Sequence, residues 1–252
     1  DQRIGEIARR LEQLPVRLRV CTHIASDILD VEDSRHRVSS LGPLGLLDLK
    51  SKPLADWGPL VKHVEDYTIA GLALALIWPV MLVVALAIKL DGPGPVLFRQ
   101  KRHGLNHRVI EVMKFRTMRA DGNGAEVRQA TRNDPRITRV GAFLRRSSLD
   151  ELPQFFNILK GEMALVGPRP HALVHNEKYG EMLERYANRH QVKPGITGLA
   201  QVRGWRGEAD SIAKIEQRVA GDLEYIARWS LWLDITILAR TVWIVIIARN
   251  AH

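Results

Sequence analysis

Residues 68–88 read TIAGLALALIWPVMLVVALAI and contain no charged side chain. At about 1.5 Å of helical rise per residue, a segment of this length can cross a hydrocarbon core of about 30 Å. Pro79 lies near its middle, where proline removes a backbone donor and favours a kink. The segment therefore predicts a membrane helix with an interruption at Trp78-Pro79.

Basic residues flank this segment on both sides: Lys62 and His63 precede it, and Lys89, Arg99, Lys101 and Arg102 follow it. Under the positive-inside rule, both ends favour the cytoplasm. A re-entrant helix over about residues 66–90, broken at Pro79, satisfies this constraint. An ordinary transmembrane helix with a tolerated proline is the alternative.

Residues 1–55 carry a different pattern. Helical spacing from Ile4 to Leu14 ends at Pro15, and alternation over Val16–Val20 then predicts a strand. A second short strand is expected at Leu44–Leu49. We interpret residues 1–55 as the remnant of an α/β domain, in a chain that is a fragment of a longer protein, and residues 62–252 as a second unit.

The second unit is predicted to mix helix and sheet. Short strands are expected at Val96–Phe98 and Val109–Val112, a helix at Pro153–Lys160, and an amphipathic helix at Ile212–Tyr225. A segment from Trp229 to Ile247 combines tryptophans with aliphatic residues, as is typical of a membrane interface. The fold class is therefore α/β (α+β), membrane-associated, with amphipathic interfacial helices.

The charge balance favours anionic partners. Lys and Arg outnumber Asp and Glu by 37 to 28, for a net charge of +9. Nucleic acid, acidic lipid headgroups and phosphorylated small molecules all fit this charge. The single cysteine, Cys21, excludes an intrachain disulfide.

Residues 144–161, LRRSSLDELPQFFNILKG, place two adjacent carboxylates, Asp150 and Glu151, behind Arg145 and Arg146. Adjacent carboxylates repel, which raises one pKa, whereas cations and a helix N-terminus favour the ionised forms. One acid can then act as nucleophile and the other as metal ligand or proton carrier. The alternative is a capping box from Ser148 to Glu151.

Three further motifs suggest phosphate binding. Two prolines flank Arg169 in VGPRP (166–170), KPGITGLAQVR (193–203) combines glycines with Gln201 and Arg203, and KFRTM (114–118) adds two cations. A turn leading into a strand is the alternative for the glycine-containing motif. Neither a dinucleotide-binding nor a P-loop glycine pattern is present.

The histidines predict no zinc site. His103, His107, His171 and His175 show no metal-ligand spacing with a carboxylate, and we expect them to be solvated or at a pocket rim.

Taken together, KFRTM, NDPRITRVGAFLRRSSLDELPQFFNILKGEMALVGPRP and KPGITGLAQVRGW resemble the bacterial sugar transferase family, the monotopic polyprenyl-phosphate phosphoglycosyl transferases. The resemblance runs from about Lys62 to the C-terminus. The N-terminal part resembles larger members that start exopolysaccharide or O-antigen repeat units and carry a Rossmann-like domain. The resemblance favours glucose or galactose as the transferred sugar.

The resemblance implies transfer of a sugar 1-phosphate from a UDP-sugar to undecaprenyl phosphate, with release of UMP and a covalent intermediate on Asp150. Glu151 would be its partner, and Mg²⁺ the cofactor, with Asp150 as metal ligand. The implied phosphate- and nucleotide-sugar-binding residues are Lys114, Arg116, Arg136, Arg145, Arg169, Thr197, Gln201 and Arg203.

The implied location is the cytoplasmic face of the bacterial inner membrane, with membrane lipid as a partner, no nucleic acid, and a homodimer as a possible assembly. The family commonly has Ser-Pro at the helix break, whereas this chain has Trp78-Pro79. A membrane-tethered binder of anionic lipid or nucleic acid, without catalysis, is the alternative function.

Overall fold

The computed structural model describes residues 19–21, 37–41, 44–48, 57–119, 134–183, 186–205 and 211–247. The N-terminal strands β1 (Arg19–Cys21), β2 (Arg37–Leu41) and β3 (Leu44–Asp48) form an antiparallel sheet in the order β1-β3-β2. The predicted strand at 44–49 is confirmed, whereas the predicted helix at 4–14 lies outside the described residues. Rossmann-like sheets are mostly parallel, and the Rossmann-like remnant stays a prediction.

Helix α1 (Gly58–Leu90) has a proline in its first turn and continues through Pro79. Its 33 residues correspond to about 50 Å of helix. By length and composition it can cross a membrane, and it is the one such helix among the described residues. Large apolar side chains are exposed along it: Leu72, Leu76, Trp78, Leu82, Val83 and Leu86.

Both halves of α1 pack against the rest of the second unit, residues 62–252. In the first half, Ala70 joins the main core with Val112 and Ile158. In the second half, Met81, Val84 and Ile88 form a second core cluster with Phe115 and Leu144. One face of the helix is therefore held by protein while the opposite face stays apolar and exposed.

A β-hairpin follows α1. Strands β4 (Leu97–His103) and β5 (Val109–Phe115) pair antiparallel, from Leu97 opposite Phe115 to His103 opposite Val109. The short 3-10 helix Leu105–His107 makes the turn. Both predicted strands are confirmed, and each extends beyond its predicted range.

Helix α2 (Arg139–Ser147) begins where the Thr138 hydroxyl accepts a hydrogen bond from the Gly141 amide, at 2.9 Å. It ends at Ser148, whose left-handed backbone (φ 58°) turns the chain into the 3-10 helix Leu149–Glu151. Helix α3 (Gln154–Leu159) follows, with Gly161 in a left-handed conformation beyond its end. The predicted helix at 153–160 is thus confirmed.

Residues 164–247 form two short strands and several helices, and they contribute Leu165, Leu199, Tyr225 and Ile237 to the main core. Strands β6 (Ala164–Val166) and β7 (Gly195–Thr197) pair in parallel, with α4 (Leu173–Met182) and the 3-10 helix Tyr186–Gln191 between them. Helices α5 (Leu199–Val202), α6 (Ile212–Arg228) and α7 (Leu231–Ile247) complete the unit. Two of these helices correspond to the predicted segments at 212–225 and 229–247.

Candidate active site

The carboxylate pair lies in the 3-10 helix between α2 and α3. The Glu151 carboxylate accepts a hydrogen bond from Lys114 Nζ at 2.7 Å and is held by two guanidinium nitrogens of Arg169, with Nη1 at 3.1 Å from Oε2. Ser148 makes no side-chain cap hydrogen bond. The capping-box alternative is therefore wrong, because Glu151 uses its carboxylate for cations instead.

The environment shifts the two acids in opposite directions. Burial alone raises the pKa of Glu151, but the nearby charges of Arg169 and Lys114 outweigh it and hold this pKa well below its ordinary value. Burial raises the pKa of Asp150, and the neighbouring charge of Glu151 raises it further. Glu151 thus stays ionised, whereas Asp150 is the carboxyl whose charge depends on what binds beside it.

Asp150 differs from Glu151 in its contacts. Among the described residues, the Asp150 carboxylate has no hydrogen bond or ion pair, although Lys114, Arg169 and Arg145 act on it through their charge. Its side chain is half-buried. An uncommitted carboxylate surrounded by cations is a candidate nucleophile or metal ligand.

The structure places the other predicted cations in different surroundings. Arg145 Nε donates to the Thr117 hydroxyl at 3.0 Å, close enough to Asp150 to affect its pKa. Arg116 donates to backbone oxygens at the end of α1, including that of Ile88 at 3.0 Å and Gly92 at 2.7 Å. Of these two arginines, only Arg145 lies with the carboxylate pair.

Arg136 and Arg203 each bind an acid outside the carboxylate pair. Arg136 forms an ion pair with Asp134 at 2.6 Å, and Arg203 Nη2 donates to Glu224 at 2.8 Å in an exposed pair. Their predicted contact with nucleotide-sugar stays a prediction.

The glycine-containing motif 193–203 forms β7 and α5. A Cβ atom on Gly195 would lie 2.1 Å from the Gly167 amide nitrogen, so glycine permits the close approach of two backbone segments. The Thr197 hydroxyl lies 2.7 Å from that of Thr241, and Gln201 Nε2 donates to the Ile196 carbonyl at 3.4 Å. The motif includes the expected strand, and the predicted contact of Thr197 and Gln201 with nucleotide-sugar stays a prediction.

Sequence reasoning missed two arginines that support the site. Arg102 donates to the Pro170 carbonyl, and burial followed by the charge of Arg169 lowers its pKa to about 10. The buried Arg189 donates to the Arg169 carbonyl at 2.7 Å and to Asp222 at 2.5 Å. Together they fix the backbone carbonyls of Arg169 and of the residue that follows it.

Arg102 and Arg189 differ in whether the sequence could have revealed their role. Arg102 and Lys114 lie on the same face of the hairpin, since Arg102 pairs with Ile110 and Phe98 with Lys114, and side chains alternate along strands. Pairing of the two predicted strands would have revealed this. No local pattern marks Arg189, whose partners come from distant segments.

His171 is buried, with Nδ1 2.7 Å from the Tyr186 hydroxyl and 2.8 Å from Arg189 Nη1. The expectation that it is solvated or at a rim is therefore wrong. The His175 side chain lies outside the described residues.

The fold and site fit a membrane-associated α/β domain: a mixed unit of helix and sheet, one long apolar helix, and a carboxylate pair with cations beside it. A family description of bacterial sugar transferases matches residues 57–248, and the chain belongs to this family.

Three relatives at 43–51% identity carry the same description. The chain is 51% identical over 216 residues to the UDP-glucose:undecaprenyl-phosphate glucose-1-phosphate transferase of Escherichia coli (strain K12), covering 86% of this chain and 47% of the relative. The protein of the same name in Xanthomonas campestris pv. campestris is 43% identical over 252 residues, which cover 99% of this chain and 51% of the relative. The one in Caulobacter vibrioides is 50% identical over 193 residues, which cover 77% of this chain and 72% of the relative. The chain spans about half the length of the first two.

Proposed function

We propose that the chain is the catalytic part of an enzyme that transfers a sugar 1-phosphate from a UDP-sugar to undecaprenyl phosphate and releases UMP. The observation that carries this proposal is the contrast within the carboxylate pair: Glu151 is fixed by two cations, whereas Asp150 is half-buried and free of direct ion pairs among the described residues. The names of the relatives support the reaction, and favour glucose as the sugar.

In the proposed first step, an Asp150 carboxylate oxygen attacks the sugar-bearing phosphorus of the donor. The bond from that phosphorus to the bridging oxygen breaks, and the electron pair leaves with UMP. In the second step, an oxygen of undecaprenyl phosphate attacks the same phosphorus, the aspartyl–phosphate bond breaks, and the Asp150 carboxylate is regenerated. The product is an undecaprenyl diphosphate that carries the sugar on its second phosphate.

Glu151 acts in this proposal as a positioning residue. Its ion pairs with Lys114 and Arg169 hold two cations beside Asp150 before substrate arrives. Preorganised cations stabilise the charge that develops on transferred phosphoryl oxygens. Because its pKa lies well below the ordinary value, Glu151 does not exchange protons near neutral pH.

The residues present fit the expected Mg²⁺. This hard cation is usually held by one or two carboxylates together with substrate phosphates and water, and Asp150 offers a carboxylate without a direct protein cation. Bound there, Mg²⁺ would neutralise negative charge on the donor diphosphate.

The attachment of α1 supports the re-entrant interpretation. Near its start, the Asp66 carboxylate accepts a hydrogen bond from the Leu165 amide at 2.8 Å, and near its end the Ile88 carbonyl accepts one from Arg116. Leu165 belongs to the same core cluster as Val112, which lies in β5, the strand that ends directly before Arg116. Both ends of α1 therefore bind the same unit, which favours a helix that enters and leaves the bilayer on one side over one that crosses it.

With basic flanks on both ends, we place this unit on the cytoplasmic face of the inner membrane. The lipid acceptor can then stay in the bilayer while its phosphate reaches Asp150 at the interface. Membrane lipid around the exposed apolar face of α1 belongs to this proposal, and the homodimer stays a prediction.

The test is UMP release by the purified 252-residue chain with UDP-glucose, undecaprenyl phosphate and Mg²⁺. We expect turnover for the unmodified chain and a loss of at least about 1000-fold for Asp150→Asn, because the amide cannot act as the nucleophile. Asp91→Asn, outside the carboxylate pair, is the matched control and should retain activity.

Without acceptor, the proposal expects a burst of UMP no larger than the enzyme concentration and a phosphosugar adduct on the peptide containing Asp150. Salt-sensitive binding of anionic vesicles with no UMP release from any UDP-sugar would instead favour the non-catalytic binder.

A further inference from the structure

Three histidines of residues 62–252 come together, although His190 lies far along the chain from His103 and His107. His103 ends β4, His107 lies in the following 3-10 turn, and His190 lies in the 3-10 helix Tyr186–Gln191. One ring nitrogen from each lies within 4.8 Å of the others. Three imidazole nitrogens at such spacing match a common ligand set of transition-metal sites.

The hairpin turn takes an uncommon backbone conformation to present these rings. Asn106 and His107 both have left-handed backbones, with φ of 51° and 58°. Such conformations are infrequent for residues other than glycine and cluster at functional sites. The result brings the His107 ring to 4.3 Å from the His190 ring, centroid to centroid.

His190 has a buried nitrogen with no partner. Its Nε2 atom makes no hydrogen bond to any described residue, and the residue is 5% exposed. Leaving a buried polar atom unpaired is costly, and such atoms are rare in folded proteins. A ligand that accepts this lone pair would remove the cost.

Burial favours the neutral form of two of these rings, those of His190 and His107. Burial lowers the pKa of His190 to about 3, with further lowering by Arg189 and by the two other histidines. Burial, followed by the charge of His103, also lowers the pKa of His107. Neutral imidazole is the form that binds metals. The lowered pKa values of His190 and His107 therefore favour the metal-binding form of both rings.

His103 has a second partner that can orient it. Its Nδ1 atom lies 2.9 Å from the side-chain amide of Asn176, which also contacts the Tyr186 hydroxyl. The two ends of an amide have the same shape, and a hydroxyl can donate or accept. With the amide oxygen towards His103, Nδ1 donates its proton and Nε2 keeps a lone pair for a metal, as in other metal-binding histidines.

We propose that His103, His107 and His190 bind one Zn²⁺ ion, with water as the fourth ligand. Imidazole nitrogens suit Zn²⁺, whereas Mg²⁺ requires oxygen ligands, so this site is chemically distinct from the Mg²⁺ site proposed at Asp150. The positive charge of neighbouring Arg189 is offset by its ion pair with Asp222 at 2.5 Å.

The position of the site assigns it a structural role. Arg102 directly precedes His103 and donates to the Pro170 carbonyl, and Arg189 directly precedes His190 and donates to the Arg169 carbonyl. An ion shared by the three histidines would tie together the two segments that fix the backbone of Arg169. It would therefore stabilise the hairpin against the 186–191 helix and keep the Arg169 guanidinium beside Glu151.

The test measures Zn²⁺ directly, on chain purified without a histidine tag and freed of metal by dialysis. Competition with a chromophoric chelator should give one Zn²⁺ per chain for the unmodified protein. His107→Ala should weaken binding at least about 100-fold, and Asn176→Leu about 10-fold through loss of the orienting contact. His63→Gln, an exposed histidine on α1, is the matched control and should bind as the unmodified chain does.

Two further measurements separate this site from surface binding. Co²⁺ should give the visible absorption of a tetrahedral site in the unmodified chain and not in His107→Ala. A zinc-selective chelator, added with Mg²⁺ in excess, should lower the unfolding midpoint of the unmodified chain but leave that of His107→Ala unchanged. Equal Zn²⁺ affinity in His107→Ala and His63→Gln, or no Zn²⁺ bound at micromolar concentration, would overturn the proposal.

Discussion

Two clusters each combine acidic and basic side chains, and they differ in whether every acid lies within ion-pair distance of a cation. In the anchor cluster (Lys62, Glu65, Asp66 and Asp234), one buried ammonium lies within ion-pair distance of all three carboxylates, at 3.7 Å, 2.9 Å and 2.8 Å respectively. In the catalytic pair, two cations bind only Glu151 and leave Asp150 without a direct ion pair among the described residues. A similar number of charges therefore serves attachment in one place and chemistry in the other.

The difference follows from which elements supply the charges. The anchor cluster joins α1 to α7, and Asp66 also accepts the Leu165 amide from β6, so that its charges hold three elements together. The catalytic pair lies in one 3-10 turn and draws its cations from β5 and the 166–170 segment. Adjacent acids on one short turn cannot both reach the same cations, which leaves one of them available to a substrate.

The largest expected effect comes from removing the shared ammonium. Lys62→Met leaves three buried acids without their counter-charge, and breaking a buried ion pair in this way costs about 3–5 kcal/mol of stability. We expect a much lower midpoint of thermal unfolding in detergent. Lys160→Met, at an exposed lysine, is the control, and an equal midpoint in both variants would contradict the anchoring role.

Glu151→Gln tests the other cluster. The amide cannot hold Lys114 and Arg169 by charge, so the cations lose their position beside Asp150. We expect kcat for UMP release to fall about 100-fold, in the range found for loss of preorganised charge stabilisation.

The stability of Glu151→Gln should fall much less than that of Lys62→Met, because this site is partly open to solvent. Glu111→Gln, exposed on β5, is the control. If Glu151→Gln unfolded as readily as Lys62→Met while keeping its kcat, the assignment of the two clusters would be reversed.

The pH dependence of turnover tests the free carboxylate. Burial and then the charge of Glu151 raise the pKa of Asp150, so its ionised form is lost as pH falls through a value above the ordinary aspartate range. Below that value, kcat/KM should fall about tenfold per pH unit. Glu151 stays ionised over this range because its pKa is shifted in the opposite direction.

Lys114→Met sharpens the pH test. Lys114 is one of the cations that oppose the upward shift, and its removal should move the acidic limb of the profile to higher pH. An acidic limb at the ordinary aspartate value in both proteins would show that Asp150 is not the group that titrates.

Local sequence patterns predicted the elements well because their physical signals are local. The charge-free run at 68–88, the alternation at 109–112 and the Pro153–Gly161 boundaries each correspond to an observed element. The carboxylate pair was also recognisable, although the pattern alone fitted a capping box. Only the distant Lys114 and Arg169 show that Glu151 does not cap a helix.

Contacts between distant segments were not predictable in this way. Arg102, Arg189 and His190 have no local pattern that distinguishes them from surface cations, and their partners are set by the packing of the 186–191 helix against β4 and the 166–170 segment. The same reason applies to the glycines at 195 and 198, whose close backbone packing against Gly167 was not predictable from their spacing.

The smallest expected effect concerns one hydrogen bond of the anchor cluster. Trp229 Nε1 donates to the Asp234 carboxylate at 3.0 Å, and Trp229→Phe removes the donor while keeping an aromatic ring. Because Lys62 still binds the same oxygen, we expect a loss of only about 1 kcal/mol, seen as a slightly lower unfolding midpoint, with kcat unchanged. Trp232→Phe, on the exposed side of α7, controls for ring area. Equal losses in both variants would assign the effect to the ring, and a loss of kcat in Trp229→Phe alone would show that the two clusters are coupled through the core.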